Sequence, residues 1–91
     1  MKICVEFYGV ARQRAGVSKT CVEFAADAAT LGDVLSRLVG CFPALANECI
    51  DGGKLAAGYT VSIGGERFVR DPRTAVRDAE CLLLLSADAG G

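Results

Sequence analysis

The segment that most limits how this chain can fold is CLLLLS, residues 81–86. Successive side chains of a β-strand point to opposite faces of a sheet, so the leucines from Leu82 to Leu85 give a strand that is apolar on both faces. Such a strand either occupies the centre of a sheet or turns its outer face to a partner. A tail of small residues, 86–91, follows it and closes on Gly90 and Gly91.

Two segments near the start alternate between apolar and polar residues, which is typical of half-buried strands. The first covers residues 2–8, with Ile3, Val5 and Phe7 on one face, and the second covers residues 20–25. The connection between them is bracketed by glycines and predicts one helical turn. The two segments therefore predict an antiparallel hairpin with a long loop.

The middle of the chain changes to the helical period, with apolar residues at i, i+3, i+4 and i+7. Thr30 is a good N-cap, and Asp33 completes a pattern that resembles a capping box. Gly40 is expected to cap the end of this helix, and Pro43 to begin a short second helix. The apolar stripe consists of Leu31, Val34, Leu35 and Leu38.

The later segments predict further strands around turns. Residues 59–63 alternate, Gly64-Gly65 predicts a tight turn, and residues 66–69 return as a short strand. Residues 51–58 and 70–80 are expected to be irregular. The order β-β-α-short helix-β-β-β predicts an α+β fold with a mixed sheet packed on one main helix. Placing the first and last strands side by side in parallel would put the leucine-rich strand in mid-sheet, and the arrangement then resembles the β-grasp or ubiquitin-like fold.

Length and charge exclude several classes of protein. A chain of 91 residues fits one domain, 1–91, with residues 86–91 as a flexible tail. The net charge of −1 gives no electrostatic footprint for nucleic acid, and no apolar run reaches the length of a membrane span. The opening residues reach Glu6 too soon for the apolar core of a signal peptide, so we expect a cytoplasmic protein.

The five cysteines lack the close C-x-x-C spacing of zinc and iron–sulfur sites, so no metal site is expected and the thiols are interpreted as packing residues. The sequence contains no histidine, the usual general base. Ser–His and Cys–His nucleophilic arrangements are therefore excluded, and catalysis by this chain has no support.

Three segments resemble the MoaD/ThiS family of ubiquitin-like sulfur carriers: EFYGVARQRAG, TLGDVLSRL and VRDAECLLLLSADAGG. The resemblance covers essentially the whole chain, and the small subunit of molybdopterin synthase is the closest match. The specific parts are Arg12, after the first strand, and the pair Gly90-Gly91.

The resemblance implies that the chain is not an enzyme but a sulfur-carrying subunit that binds no cofactor. An E1-like (MoeB-like) adenylyltransferase would use ATP and magnesium to adenylate the Gly91 carboxylate, and a sulfur donor would convert it to a thiocarboxylate. The large subunit of molybdopterin synthase (MoaE-like) would then take the sulfur. Glycine suits this ending because the backbone, without a Cβ, can thread a narrow pocket. Six residues after Leu85 reach at most roughly 20 Å.

Partners are expected on the sheet face turned away from the helix. By alternation this face presents Tyr8, Cys81, Leu83 and Leu85. Tyr8, Leu85 and Arg12 also match interface positions of the family, although Arg12 fits a solvated loop charge equally well.

Three alternatives stay open at this point. A thiamin-pathway (ThiS-like) carrier shares the chemistry, and a ubiquitin-like modifier would transfer the activated glycine to a lysine amine. A non-catalytic β-grasp binding module would tolerate the loss of Gly91, which a carrier would not. A β-grasp ferredoxin is excluded because its clustered cysteines are missing.

Overall fold

The computed structural model describes residues 1–86, and the first strands form the expected hairpin. Strands β1 (Lys2–Phe7) and β2 (Lys19–Glu23) pair antiparallel. The short helix α1 (Gly9–Ala15) lies in the connection between them. The predicted hairpin and its helical turn are therefore confirmed.

A five-stranded mixed sheet contains the pair β2-β1 at one edge. Its central strand is β9 (Cys81–Ser86), the leucine-rich segment. This strand pairs in parallel with β1 on one edge and antiparallel with β6 (Tyr59–Ile63) on the other. Strand β7 (Arg67–Val69) closes the far edge. The central position and the parallel pairing predicted for CLLLLS are confirmed.

Helix α2 (Leu31–Cys41) packs on one face of the sheet through the predicted apolar stripe. The Thr30 hydroxyl accepts from the amide of Asp33 at 3.2 Å, and the Asp33 carboxylate accepts from the amide of Thr30 at 2.9 Å. The capping box is thus complete, which satisfies two amides that the first turn leaves free. The centre of the core contains Ile3, Val5, Phe7, Leu31, Val34, Leu35, Leu38, Leu82 and Leu84.

The end of α2 differs from the prediction. Gly40 lies inside the helix, and Phe42 is the C-cap, with φ −131°. Because that backbone is not left-handed, the end needs no glycine. The Phe42 amide donates to the carbonyl of Leu38 at 2.7 Å, and its ring meets Phe7 edge-on at 5.5 Å between centroids. The contact between Phe42 and Phe7 packs the end of the helix against the core, and the helix continues past Gly40 to Cys41.

Both segments expected to be irregular contain short strands. Strands β4 (Ile50–Asp51) and β5 (Lys54–Leu55) pair around two glycines of positive φ. Strand β8 (Ala75–Val76) pairs with β3 (Ala29–Thr30), just before α2. Two residues are too few to show alternation in a sequence. The short helix is a 3-10 turn at Pro43–Leu45, as predicted from the proline.

We predict that Thr30→Ala lowers the free energy of unfolding by about 1 kcal/mol, because the amide of Asp33 loses its acceptor. Urea denaturation of the full chain measures the change. Thr30→Ser, which keeps the hydroxyl, should recover most of the loss. Ser18→Ala removes an exposed hydroxyl outside the helix and should stay within about 0.5 kcal/mol of the parent. Equal losses in Thr30→Ala and Thr30→Ser would contradict the prediction.

Candidate functional site

The candidate site is the sheet face opposite α2, called here the open face. Alternation along β1 and β9 sends Val5 and Leu82 into the core, and their strand neighbours Glu6 and Leu83 to the open face. The open face contains Lys19, Cys21, Cys4, Glu6, Cys81, Leu83, Leu85, Thr60, Ser62 and Phe68.

One continuous row crosses the open face from strand to strand. Glu6 pairs with Lys19 on one side and with Leu83 on the other. Ser62 in turn pairs with both Leu83 and Phe68. Charged side chains therefore occupy the β2 end of the row, and apolar side chains occupy the centre and the β7 end. Charge is thus concentrated at one end of the row, and exposed apolar surface at the other end, on β7.

Phe68 is an aromatic residue of the open face that the sequence analysis did not assign to a site. Its side chain is 67% exposed. The alternation of residues 66–69 is too short to choose a face, and the register with Ser62 is what decides it. The turn at Gly64-Gly65 does not reveal the face, because a two-residue turn would pair Phe68 with Val61 of the core, whereas the loop has three residues and pairs Phe68 with Ser62.

Ser62 lies under this apolar surface. Its side chain is only 2% exposed, and its Oγ has no hydrogen-bond partner among residues 1–86. The neighbouring Thr60 hydroxyl donates to the carbonyl of Val69 at 3.5 Å. Leaving a buried hydroxyl unpaired costs roughly 1–3 kcal/mol, so the centre of the open face is not optimised for stability alone.

The structure brings four of the predicted partner-binding residues to this face or its border. Leu83, Leu85 and Cys81 are half-buried on β9. Tyr8, 44% exposed, directly follows β1, and its amide donates to the carbonyl of Leu84 at 3.1 Å. The fifth, Arg12, is exposed on α1, a helix that packs against β9. Its role in binding stays a prediction.

The packing interpretation of the cysteines is correct only for Cys49, which is buried. Cys4 and Cys81 are half-buried, and Cys21 and Cys41 are exposed. The alternation of β1 and β2 explains the error, because it turns Cys4 and Cys21 away from the core. Cys4 pairs with Cys21 on one side and with Cys81 on the other, so these thiols form a second row on the open face.

The thiol of Cys81 donates to Oε2 of Glu6 at 3.8 Å. Burial raises the pKa of Cys81, and the nearby Glu6 carboxylate raises it further. Cys81 is therefore held as a neutral thiol at neutral pH. Across residues 1–86, no three Cys, Asp or Glu side chains converge in a way that could hold a metal ion.

The predicted reactive residues, Gly90 and Gly91, lie outside the described residues. Strand β9 ends at Ser86, which pairs with Tyr59. Within residues 1–86, none of the helices has the length and apolar character to traverse a bilayer.

Comparison with protein-family models and with curated proteins finds no match. Among solved structures, SAMP1 from Haloferax volcanii is 27% identical, with 100% of both chains covered and a TM-score of 0.82. A Pyrococcus furiosus protein described as molybdopterin converting factor, subunit 1, is 19% identical over 94% of this chain and 97% of its own, with a TM-score of 0.73. A chain of the Amycolatopsis orientalis BexX/CysO complex is 23% identical over 98% and 99%, also with a TM-score of 0.73.

The chain has the ubiquitin-like β-grasp fold of these structures. The β-grasp fold predicted from the strand order is thereby confirmed. In this β-grasp chain the core and the open face are chemically separate. Tyr59 belongs to the core, where burial and a hydrogen bond with Cys49 raise its pKa to about 12.

The shifted Tyr59 predicts a specific loss of stability in alkali. Its pKa when folded lies above the ordinary value of 10.0, so the neutral phenol stabilises the folded state at every pH below about 10. This contribution should be lost between pH 10 and about 12, at up to about 1.4 kcal/mol per pH unit. Urea denaturation across this range measures the slope. Tyr59→Phe should flatten it, whereas Tyr8→Phe should not, and the same slope in both variants would refute the assignment.

Proposed function

We propose that this chain is a sulfur carrier of molybdopterin synthesis, in which Gly91 supplies the carboxylate that is activated. An E1-like, MoeB-like enzyme binds the open face and adenylates Gly91, and a MoaE-like large subunit later receives the sulfur at the same face. The observation that carries the proposal is the geometry of β9. This strand presents Leu83 and Leu85 on the open face and leads directly into residues 87–91.

In the proposed chemistry, no side chain of this chain has a catalytic role. The Gly91 carboxylate attacks the α-phosphate of ATP, and pyrophosphate leaves to give an acyl adenylate. Hydrosulfide supplied by a sulfur donor then attacks the acyl carbon, AMP leaves, and loss of the hydrosulfide proton to solvent gives the thiocarboxylate. ATP, magnesium and the pocket that excludes water belong to the activating partner. The chain is a substrate in this step and a subunit in the next, within the cytoplasm.

The open face supplies a rigid docking surface close to the proposed reactive end. Exposed Phe68 and half-buried Leu83 form its apolar part, and Glu6 and Lys19 form a charged border. Five residues follow Ser86, and they span at most about 18 Å when extended. A partner that covers the open face can therefore receive Gly91 in an active site next to the docking surface. The proposal of the molybdopterin pathway agrees with the description of the Pyrococcus protein as a molybdopterin converting factor subunit.

We predict that the full chain, incubated with an E1-like enzyme, ATP, magnesium and a sulfur donor, gains about 16 Da when sulfur replaces one oxygen of the Gly91 carboxylate. Intact-mass spectrometry measures the change. Omission of ATP and deletion of Gly91 are the controls, and both should abolish the gain. Deletion of Gly91 should leave the thermal midpoint unchanged, because the sheet and the core described here are built from residues 1–86. An unchanged mass with several competent activating enzymes would overturn the proposal.

A second candidate function is protein modification. SAMP1, which covers the whole chain at 27% identity, is a small archaeal modifier protein. In this case a lysine amine of a target protein attacks the acyl carbon of the adenylate, AMP leaves, the amine loses a proton, and an isopeptide bond forms. Tryptic digestion of lysates followed by mass spectrometry separates the two functions. Lysines linked to the Gly91 carbonyl would favour the modifier, and their absence together with the thiocarboxylate would favour the carrier.

We predict that Phe68→Ala weakens binding of the activating enzyme about tenfold or more, because it removes an exposed aromatic side chain from the apolar part of the open face. Isothermal titration or biolayer interferometry with the full chain measures the dissociation constant. Lys54→Ala is the matched control, since it shortens an exposed side chain of β5, a strand that contacts α2. Equal effects of both substitutions would place the interface elsewhere.

A further inference from the structure

Cys4 and Cys21 face each other across the first hairpin. They are direct register partners on antiparallel strands, and their Sγ atoms lie 3.3 Å apart. Cys21 is exposed and Cys4 is half-buried, so the pair can be reached from solvent. The docking and carrier chemistry proposed above uses neither thiol.

The hydrogen bonds of the hairpin show which type of cross-strand pair this is. Phe7 donates to the carbonyl of Ser18, and Phe24 donates to that of Met1, so these pairs are hydrogen-bonded. Because the two types of pair alternate along an antiparallel ladder, Cys4 and Cys21 form a non-hydrogen-bonded pair. Here the Cα atoms approach to about 4.5 Å and the side chains come closest. That separation is within the range of about 4.4–6.8 Å that a disulfide spans.

We propose that Cys4 and Cys21 are an oxidation site on the open face, at which a hydroperoxide or a small-molecule disulfide forms a reversible cross-strand disulfide. The pairing of the two strands already gives the Cα separation that a disulfide requires. Only the two Sγ atoms must then move together, from 3.3 Å to bonding distance. The proposal does not depend on the carrier function, because it concerns the isolated chain and leaves Gly91 untouched.

A hydroperoxide, such as hydrogen peroxide, is the oxidant in this reaction. Exposed Cys21 attacks the peroxide oxygen, which forms a sulfenic acid on Cys21 and releases water from hydrogen peroxide. The sulfur of Cys4 then attacks the sulfur of Cys21, the S–S bond forms, and a second water leaves with the Cys4 proton. Two thiols are oxidised and one peroxide is reduced to two waters. A dithiol reductant reverses the bond by exchange, so the pair returns to thiols in a reducing compartment.

Cys81 is the competing partner, because it neighbours Cys4 on the other side. Its thiol is directed to the Glu6 carboxylate, whereas Cys4 is hydrogen-bonded to Cys21. The hydrogen bond with Cys21 raises the pKa of Cys4, which agrees with a proton shared between these two sulfurs. The contacts therefore select Cys21 as the partner and leave Cys81 as a thiol.

The test is oxidation of the full chain with about one equivalent of hydrogen peroxide or of a small-molecule disulfide. We expect a mass loss of about 2 Da, reversed by dithiothreitol, from the removal of two hydrogens. Blocking the free thiols and digesting without reduction should yield a linked peptide pair that contains Cys4 and Cys21. Cys4→Ser and Cys21→Ser should each abolish the loss. Cys41→Ser, which removes an exposed thiol at the end of α2, is the matched control and should retain it.

Several results would overturn the proposal. These are a linked peptide that contains Cys81, a covalent dimer as the main product, and addition of oxygen without loss of hydrogen. The peptide map of the parent chain identifies the linked cysteines even where a serine variant fails to fold. A change of about 2 Da reports a single disulfide. Loss of this reversible change in Cys41→Ser would therefore mean that Cys41 is one of the two linked cysteines, which would also overturn the proposal.

Discussion

The parallel pairing of β1 with β9 is the interaction on which the rest of the structure depends. It joins the first and last strands of the described chain, and it places Leu82 beside Val5 and Leu84 beside Phe7 in the core. Ordering so long a loop has an entropic cost, which must be offset by burial of the apolar side chains that the pairing brings together. The core is therefore complete only when the leucine-rich strand is in position.

The same pairing creates the open face. With β9 central, the leucines divide between two surfaces: Leu82 and Leu84 enter the core, while Leu83 and Leu85 stay half-buried on the other side. Since β6 flanks β9, the hydroxyl of Ser62 is buried between apolar neighbours without a hydrogen-bond partner in residues 1–86. Half-buried leucines and this buried hydroxyl thus lie together on the face at which we propose that partners dock.

The sequence predicts those parts of the molecule in which a pattern repeats long enough to be recognised. Alternation over residues 2–8 identifies β1, and the stripe from Leu31 to Leu38 identifies α2 with its capping box. The two-residue strands offer no period, and the end of α2 depends on Phe42 packing against Phe7, a contact between distant residues. The residues of the candidate site fall into the same two groups, those that a repeating pattern reveals and those that depend on a distant part of the chain. Alternation predicts Leu83 and Leu85, whereas Phe68 requires the register of a neighbouring strand.

The strand register also places the proposed docking surface and the proposed oxidation site in different parts of one face. The apolar end of the row from Lys19 to Phe68 lies on β9 and β7, and the thiol pair lies in the second row, on β1 and β2. A bond between Cys4 and Cys21 joins strands that are already paired, so it changes the backbone little and leaves the neighbourhood of Phe68 in place. The two proposals therefore concern different strands of the same face, and oxidation of the thiol pair leaves the proposed apolar docking surface as it is.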